Sequence, residues 1–358
     1  MSAHPGSLSE IAVLFLRLGA TSFGGPAAHI AMLREEVVGR RSWLTDTEFL
    51  DLVSAANLIP GPNSTEVAIH IGHKRAGLRG LVTAGVCFIL PAALAVIALS
   101  WFYVRYRQLP VTGSLLYGIK PVIIAIILQA LIALASTALK QKQLILVAAV
   151  SCAALLYGVN ELVVLLIAGL LAIRLTPGRM LAVPITLLPL FLSFLKIGSV
   201  LFGSGYVLLA FLKTEFIEHR GWITQSQLLD AVAIGQLTPG PLFTTATSLG
   251  YFMAGFPGAI VATIGIFLPA FILVAVTAPI IPKMRNSKTF ANCLDAINAA
   301  SLGLMAAVTL QLTRASITDP LSAAITITSF LAIRRLQINS TWLIAAGAAV
   351  GLTKLWLQ

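Results

Sequence analysis

Long apolar runs recur along the whole chain, and several, such as residues 80–102 and 121–139, are long enough to cross ~30 Å of hydrocarbon as single helices. The pattern predicts ten spans: about 8–32, 80–103, 113–139, 143–158 and 160–175, then 189–211, 258–280, 290–313, 318–333 and 340–356. In each set the first and second spans are separated by a stretch of unusual chemistry. LIPGPNSTE occupies 58–66 and LTPGPLFTT occupies 237–245, each with two prolines around a glycine.

The two sets are copies of one another. FLRLGATSFGG from Phe15 matches FLKIGSVLFGS from Phe194, an offset of 179 that also superposes Trp43 on Trp222, Asp51 on Asp230, and Pro60-Gly61-Pro62 on Pro239-Gly240-Pro241. After one deletion the offset is 178, and Gly72, Gly77, Gly80 and Pro91 meet Gly250, Gly255, Gly258 and Pro269. The expected organisation is a first repeat at 1–179 and a second at 180–358.

Whether the copies point the same way depends on the Pro-Gly-Pro segment. If it crosses the membrane, each half has six spans and both are oriented alike. If it is the tip of a re-entrant hairpin, five spans per half invert the second copy. With hairpins and an external N-terminus, one side collects 15 Lys and Arg residues, Arg34, Arg40, Arg41, Lys74 and Arg75 among them. The other receives 6: Arg105, Arg107, Lys213, Arg220, Arg314 and Lys354. The six-span alternative divides them 12 to 9. Positive charge concentrates in cytoplasmic loops, which favours the hairpin arrangement. The fold expected is an all-α polytopic membrane protein of two inverted repeats, each about five transmembrane helices plus a Pro-Gly-Pro re-entrant hairpin.

Composition agrees. Of 358 residues, 58% are hydrophobic and 10% charged, where a soluble domain carries roughly a quarter charged. The net charge of +11 is read as a topology signal of a protein whose partner is the lipid bilayer, not nucleic acid. The first positive charge is Arg17, so the N-terminus lacks a basic region of signal-peptide type and the first apolar segment is expected to be retained. Cys87, Cys152 and Cys293 lie in apolar runs without pairing or metal-ligand spacing.

Two prolines flanking a glycine end a helix, since each proline lacks a donor and clashes with the preceding turn. Proline also suits the first turn of a new helix. The segments from Pro62 and Pro241 are therefore expected to present helix N-termini, with unpaired N–H groups and the positive dipole end, near mid-membrane. Such ends bind anions, and broken helices in corresponding positions of two repeats point to a transporter's substrate site. Asn63, Ser64 and Thr65 add donors after the first break, Thr244 and Thr245 after the second. The structural alternative is a kinked helix with ordinary capping residues.

Arg17 and Lys196 share one repeat position inside a span, close to the FGG and FGS turns at Gly24, Gly25 and Gly203. They read as anion-attracting charges, or else as snorkelling interface residues. Glu66 lies one helical turn past Pro62, and His70 follows four residues later on the same face, so the pair is a candidate proton relay. Their counterparts, Thr245 and Leu249, do not titrate. Asp51 and Asp230 are expected near the hairpin mouths, capping or touching an arginine. His29 reads as packing or interface.

FGGPAAHIAMLREEVV, RSW, LIPGPNSTEVAIHIGHKRAGLRG and CFILPA, followed by FGSGYVLLAFLKTEF, HRGW, QLTPGPLFTTATSLGY and IFLPA, resemble the chromate ion transporter family in its long, two-domain form. The resemblance covers essentially the whole chain. It implies a multi-pass protein of a bacterial inner membrane exporting chromate under the proton motive force and so conferring chromate resistance. Its ligands would be chromate, or the similar dianion sulfate, and protons, with no cofactor and no metal; a homodimer is an open assembly option. An intramembrane enzyme is disfavoured because the chain has no HExxH, no GxSxG and no ligand-spaced acidic or histidine cluster. A passive anion channel shares every feature except the Glu66/His70 pair.

Overall fold

The computed structural model describes residues 7–23, 25–139, 141–157, 159, 163–165, 185–202, 205–278 and 288–356. The expected span at 160–175, the repeat boundary at 179/180, Gly24, Gly203 and the Cys293 side chain lie outside them. Among the described residues there is no strand. The helices are α1 (Leu8–Thr21), α2 (Gly25–Arg34) continued by a wide π turn (Glu35–Arg40), α3 (Asp46–Ala56), α4 (Asn63–Tyr106), α5 (Pro110–Ala138) and α6 (Lys142–Leu156). There follow α7 (Leu187–Val200), α8 (Leu208–Lys213) with a π turn (Thr214–His219), α9 (Gln225–Leu237), a 3-10 turn (Leu242–Thr244) and α10 (Thr245–Thr277). The last are α11 (Lys288–Ser316), α12 (Pro320–Leu336) and α13 (Ser340–Trp356).

The chain forms two compact units, neither of which is a repeat. The first takes Met1–Ala98, Leu187–Gly205 and Thr238–Phe290, the second Leu99–Thr186, Tyr206–Leu237 and Ala291–Gln358. Among the described residues, four helical segments, Asn63–Tyr106, Pro110–Ser136, Leu242–Thr277 and Asp295–Ser316, are long and apolar enough to cross a membrane. Their outward faces are greasy: Val82, Val86, Leu90 and Leu94 form an exposed stripe on α4, and Ile260, Ile264, Ile272 and Val276 form one on α10. An i, i+4 row of exposed aliphatic residues suits lipid.

In the first unit, helices fold back as hairpins. α3 begins in a capping box, Thr45 with Glu48. It runs to the Pro-Gly-Pro tip, and α4 then returns, so that Lys74 Nζ lies 2.6 Å from Glu48 Oε1. That ammonium, by its hydrogen bond, holds the Glu48 carboxyl down at about 2. The 11-residue α3 reaches only about 16 Å, about half the hydrocarbon thickness, so it is too short to span the hydrocarbon alone. α4 next reverses at Ala76–Gly77, where Gly77 takes φ 58° and ψ −146°, a conformation essentially confined to glycine. The reversal recurs at Ala254–Gly255 (φ 63°, ψ −152° at Gly255).

Beyond these reversals the long limbs of α4 and α10 lie side by side and antiparallel. Phe271 packs onto Gly85, while Val274 joins a cluster with Leu81, so later residues of one limb meet earlier residues of the other. Corresponding limbs packed antiparallel are the arrangement that inverted repeats would give.

One expectation is corrected. Residues 8–32 are not a single span: α1 stops at Thr21, Gly25 takes φ 82°, and α2 returns beside α1. Arg41 therefore reaches Glu10, 3.3 Å away, and Arg17 pairs with Glu36. The start of α1 consequently lies at the same end as Arg40, Arg41 and Lys74, not opposite them as an external N-terminus required. The segment 189–211 is likewise interrupted after Val200. In the first repeat the positive φ of Gly25 is the physical reason, a conformation that interrupts a helix hydropathy alone would continue.

Candidate functional site

Both Pro-Gly-Pro tips and both helix breaks belong to the first unit, and they brace each other reciprocally. The Gly61 N–H donates to the Leu201 carbonyl at 2.8 Å, and the Gly240 N–H donates to the Ser22 carbonyl at 2.8 Å. Residues 61 and 240 correspond, as do 22 and 201, so each repeat caps the broken first helix of the other. Backbone groups released by a break in a membrane must be satisfied by protein, and here the opposite repeat does it. Glycine is required at both tips, with φ 145° at Gly61 and φ 94° at Gly240.

The new helices begin one residue later than the sequence suggests. Pro62 and Pro241 are the residues before the helical turn, and their carbonyls accept from Thr65 and Glu66 and from Thr244. The N–H groups of Asn63 and Ser64 have no acceptor within the helix, the usual condition of a first turn. After Pro241 a short 3-10 turn comes first, and the Thr244 hydroxyl donates to the Pro241 carbonyl at 2.8 Å.

The side chains around the first break separate into partnered and unpartnered groups. Asn63 donates to Asn57 Oδ1 at 2.6 Å, and Ser64 Oγ lies 3.3 Å from His29 Nδ1. The other ring nitrogen of His29 is 3.0 Å from the Ser22 carbonyl, and the ring stands edge-on to Phe88. His29 thus ties the α1/α2 tip to the start of α4, a positioning role that the sequence reading missed. Its signal was an imidazole four residues past a glycine break.

Thr65 and Glu66 are fully buried, and neither the Thr65 hydroxyl nor either Glu66 carboxyl oxygen has a hydrogen-bond partner. Thr245, the counterpart of Glu66 in the second repeat, is also fully buried with an unpartnered hydroxyl. Glu66 lies against Gly61: a Cβ on that glycine would fall 2.2 Å from its Oε1. His70 Nε2 is buried without a partner as well, so no hydrogen bond joins Glu66 to His70 in this structure. Buried polar groups in native proteins normally have partners, and a cluster that lacks them at paired helix breaks is suited to a ligand.

Arg17 is elsewhere in its interactions. Its half-exposed guanidinium pairs with Glu36, because the hairpin brings the π turn beside α1. Lys196 is partly buried on α7. Gly25 forms the break, and Pro60 and Pro239 precede the tip glycines. Asp51 is exposed. Asp230 is buried, 3.0 Å from Lys120. Among the described residues no group of histidine, cysteine and acidic side chains could hold a metal ion.

A multi-pass helical membrane protein with paired broken helices and unpartnered donors at their starts has the architecture of a transporter. The chain belongs to the chromate transporter family, whose model matches it twice, at residues 9–173 and 188–352. It is 29% identical to a chromate transport protein of Cupriavidus metallidurans over 97% of this chain and 93% of the relative. It is 30% identical to a chromate transport protein of Pseudomonas aeruginosa over 86% and 82%, and 29% identical to a probable chromate transport protein of Synechococcus elongatus over 89% and 88%. No solved structure matches it.

Proposed function

We propose that this chain exports chromate across the bacterial inner membrane under the proton motive force, conferring chromate resistance, with 1–179 and 180–358 as its inverted repeats. The observation that carries the reading is the pair of helix starts after Pro62 and Pro241 in one compact unit, with the buried hydroxyls of Thr65 and Thr245 unpartnered beside them. A tetrahedral dianion accepts hydrogen bonds in several directions and suits such donors. The names of the relatives supply the choice of chromate.

In this reading Asn63, Ser64, Thr65, Thr244 and Thr245 contact the anion, while the glycines of both breaks let backbone approach it. Arg17 and Lys196 raise the potential along its path. Glu66, with His70 beside it in sequence, exchanges the proton. An inside-negative membrane also favours the outward movement of a dianion directly, by about 4.6 kcal/mol per 100 mV, twice the value for one charge. The end carrying Arg34, Arg40, Arg41 and Lys74 faces the cytoplasm.

Uptake into inverted vesicles tests the transport reading: chromate is expected to accumulate in energised vesicles and to stop on addition of a protonophore. Preference for sulfate would replace it with a sulfate carrier, and uptake that persists when only the pH gradient is collapsed and the membrane potential is kept would replace it with a passive channel. Sidedness has its own check. With Cys87, Cys152 and Cys293 replaced, a single cysteine at Lys74 should react from the cytoplasm and one at Ala254 from outside. Reaction of both from the same side would refute opposed hairpin mouths.

A further inference from the structure

The second unit contains a charged cluster that the anion site does not use. Lys120 lies in the interior of α5, within the apolar segment Pro110–Ser136, and its side chain is 20% exposed. Its ammonium is 3.0 Å from Asp230 Oδ1 and donates to Ser226 Oγ at 2.8 Å. The other carboxylate oxygen accepts from the Tyr103 hydroxyl at 2.7 Å. Asp230 is 4% exposed. Three elements, the end of α4, the middle of α5 and α9, thus converge on one buried carboxylate.

Among the described charges on neighbouring helices, Arg105 and Arg314 are exposed, and others are engaged elsewhere or act from a distance. Lys354 on α13 pairs with Asp319 at 3.2 Å, Lys213 on α8 pairs with Glu218, and Arg107 acts on Tyr103 from the end of α4. The repeat does not require the cluster, since Asp51, the counterpart of Asp230, is exposed. Nor does stability, because a buried ion pair generally contributes no more than apolar residues of the same volume. Ionisable groups inside membrane segments are kept for work.

We propose that Asp230, with Lys120 and Tyr103, is a proton-exchange site in the second unit, additional to Glu66. When the Lys120 contact opens, the Asp230 carboxylate takes one proton. It returns that proton when the pair re-forms, so each cycle is balanced, and Ser226 holds the ammonium meanwhile. Coupling of this proton to transport rests on the proton-driven reading above, whereas the existence of the site does not.

The test is pH-dependent infrared difference spectroscopy on the full-length protein in lipid, alongside vesicle transport. A protonated-carboxyl band is expected that is absent in Asp230→Asn and retained in Glu66→Gln. Tyr103→Phe removes a donor to the ionised form, so the band should persist to a pH higher by roughly half to one unit, and the transport midpoint should move with it. Lys120→Gln should shift both further in the same direction; if it does not fold, Tyr103→Phe alone decides. No band assignable to Asp230, with an unmoved midpoint in Tyr103→Phe, overturns the proposal. A titrating Asp230 band in a protein whose flux ignores the proton gradient retains the site and removes the proton-driven reading.

Discussion

Gly240→Ala is expected to abolish transport and to leave little folded protein. The tip glycine has φ 94°, where a side chain is strained, and a Cβ there would lie 2.6 Å from the Ala92 Cβ and 3.3 Å from the Gly19 carbonyl. Both neighbours sit on helices and cannot swing aside. Strain of order 1–3 kcal/mol and overpacking of about 1–3 kcal/mol act together, a large part of a typical folding free energy. The Gly240 N–H would also be displaced from the Ser22 carbonyl. Gly113→Ala is the control, since its Cβ would meet nothing within 4 Å. Thermal unfolding in detergent should separate the two variants by many degrees; equal melting would mean that the tip is not packed as described.

Glu66→Gln should leave chromate bound but make flux independent of the pH gradient. The carboxyl is fully buried without a partner, one turn from the helix start that holds the anion in the proposed reading. An ionised carboxylate ~5 Å from the anion would repel each unit of its charge by about 3 kcal/mol at an effective dielectric of about 20. Bound anion and protonated Glu66 therefore favour one another on the same side, whereas exchange of one for the other needs Glu66 to lose its proton only when the pocket is empty and facing inward; glutamine, a permanent mimic of the protonated form, cannot do this. Direct binding should be as tight as in the parent or tighter. Chromate still accumulating in response to the pH gradient in Glu66→Gln vesicles would remove Glu66 from the mechanism.

What the sequence made legible follows from local or repetitive rules. Hydrocarbon demands length, so the limbs of α4, α5, α10 and α11 could be read from apolar runs. Pro-Gly-Pro breaks a helix wherever it stands, and the register of two copies revealed the duplication. The FGG turn was noticed, but hydropathy carried the first span through it, because a 25-residue apolar run looks the same straight or folded back. Partners distant in the chain were not legible. Nothing in the order of residues says that Ser64 meets His29, that Asp230 meets Lys120, or that Arg17 is claimed by Glu36. The charge count favoured a re-entrant tip, and the Lys74–Glu48 contact shows that the chain does fold back as a hairpin there.

The crossed bonds at the two tips have an implication for how such a chain came to be and how it could be taken apart. Each repeat owns one tip donor and one broken-helix acceptor, and the backbone bond of each crosses to the other half. A half-length polypeptide would reach closure only by pairing head to foot with another half, identical or diverged. The fused chain is in this sense an internal dimer made permanent. Once joined, the halves were free to specialise: a carboxyl stands at position 66 of one tip and a hydroxyl at 245 of the other.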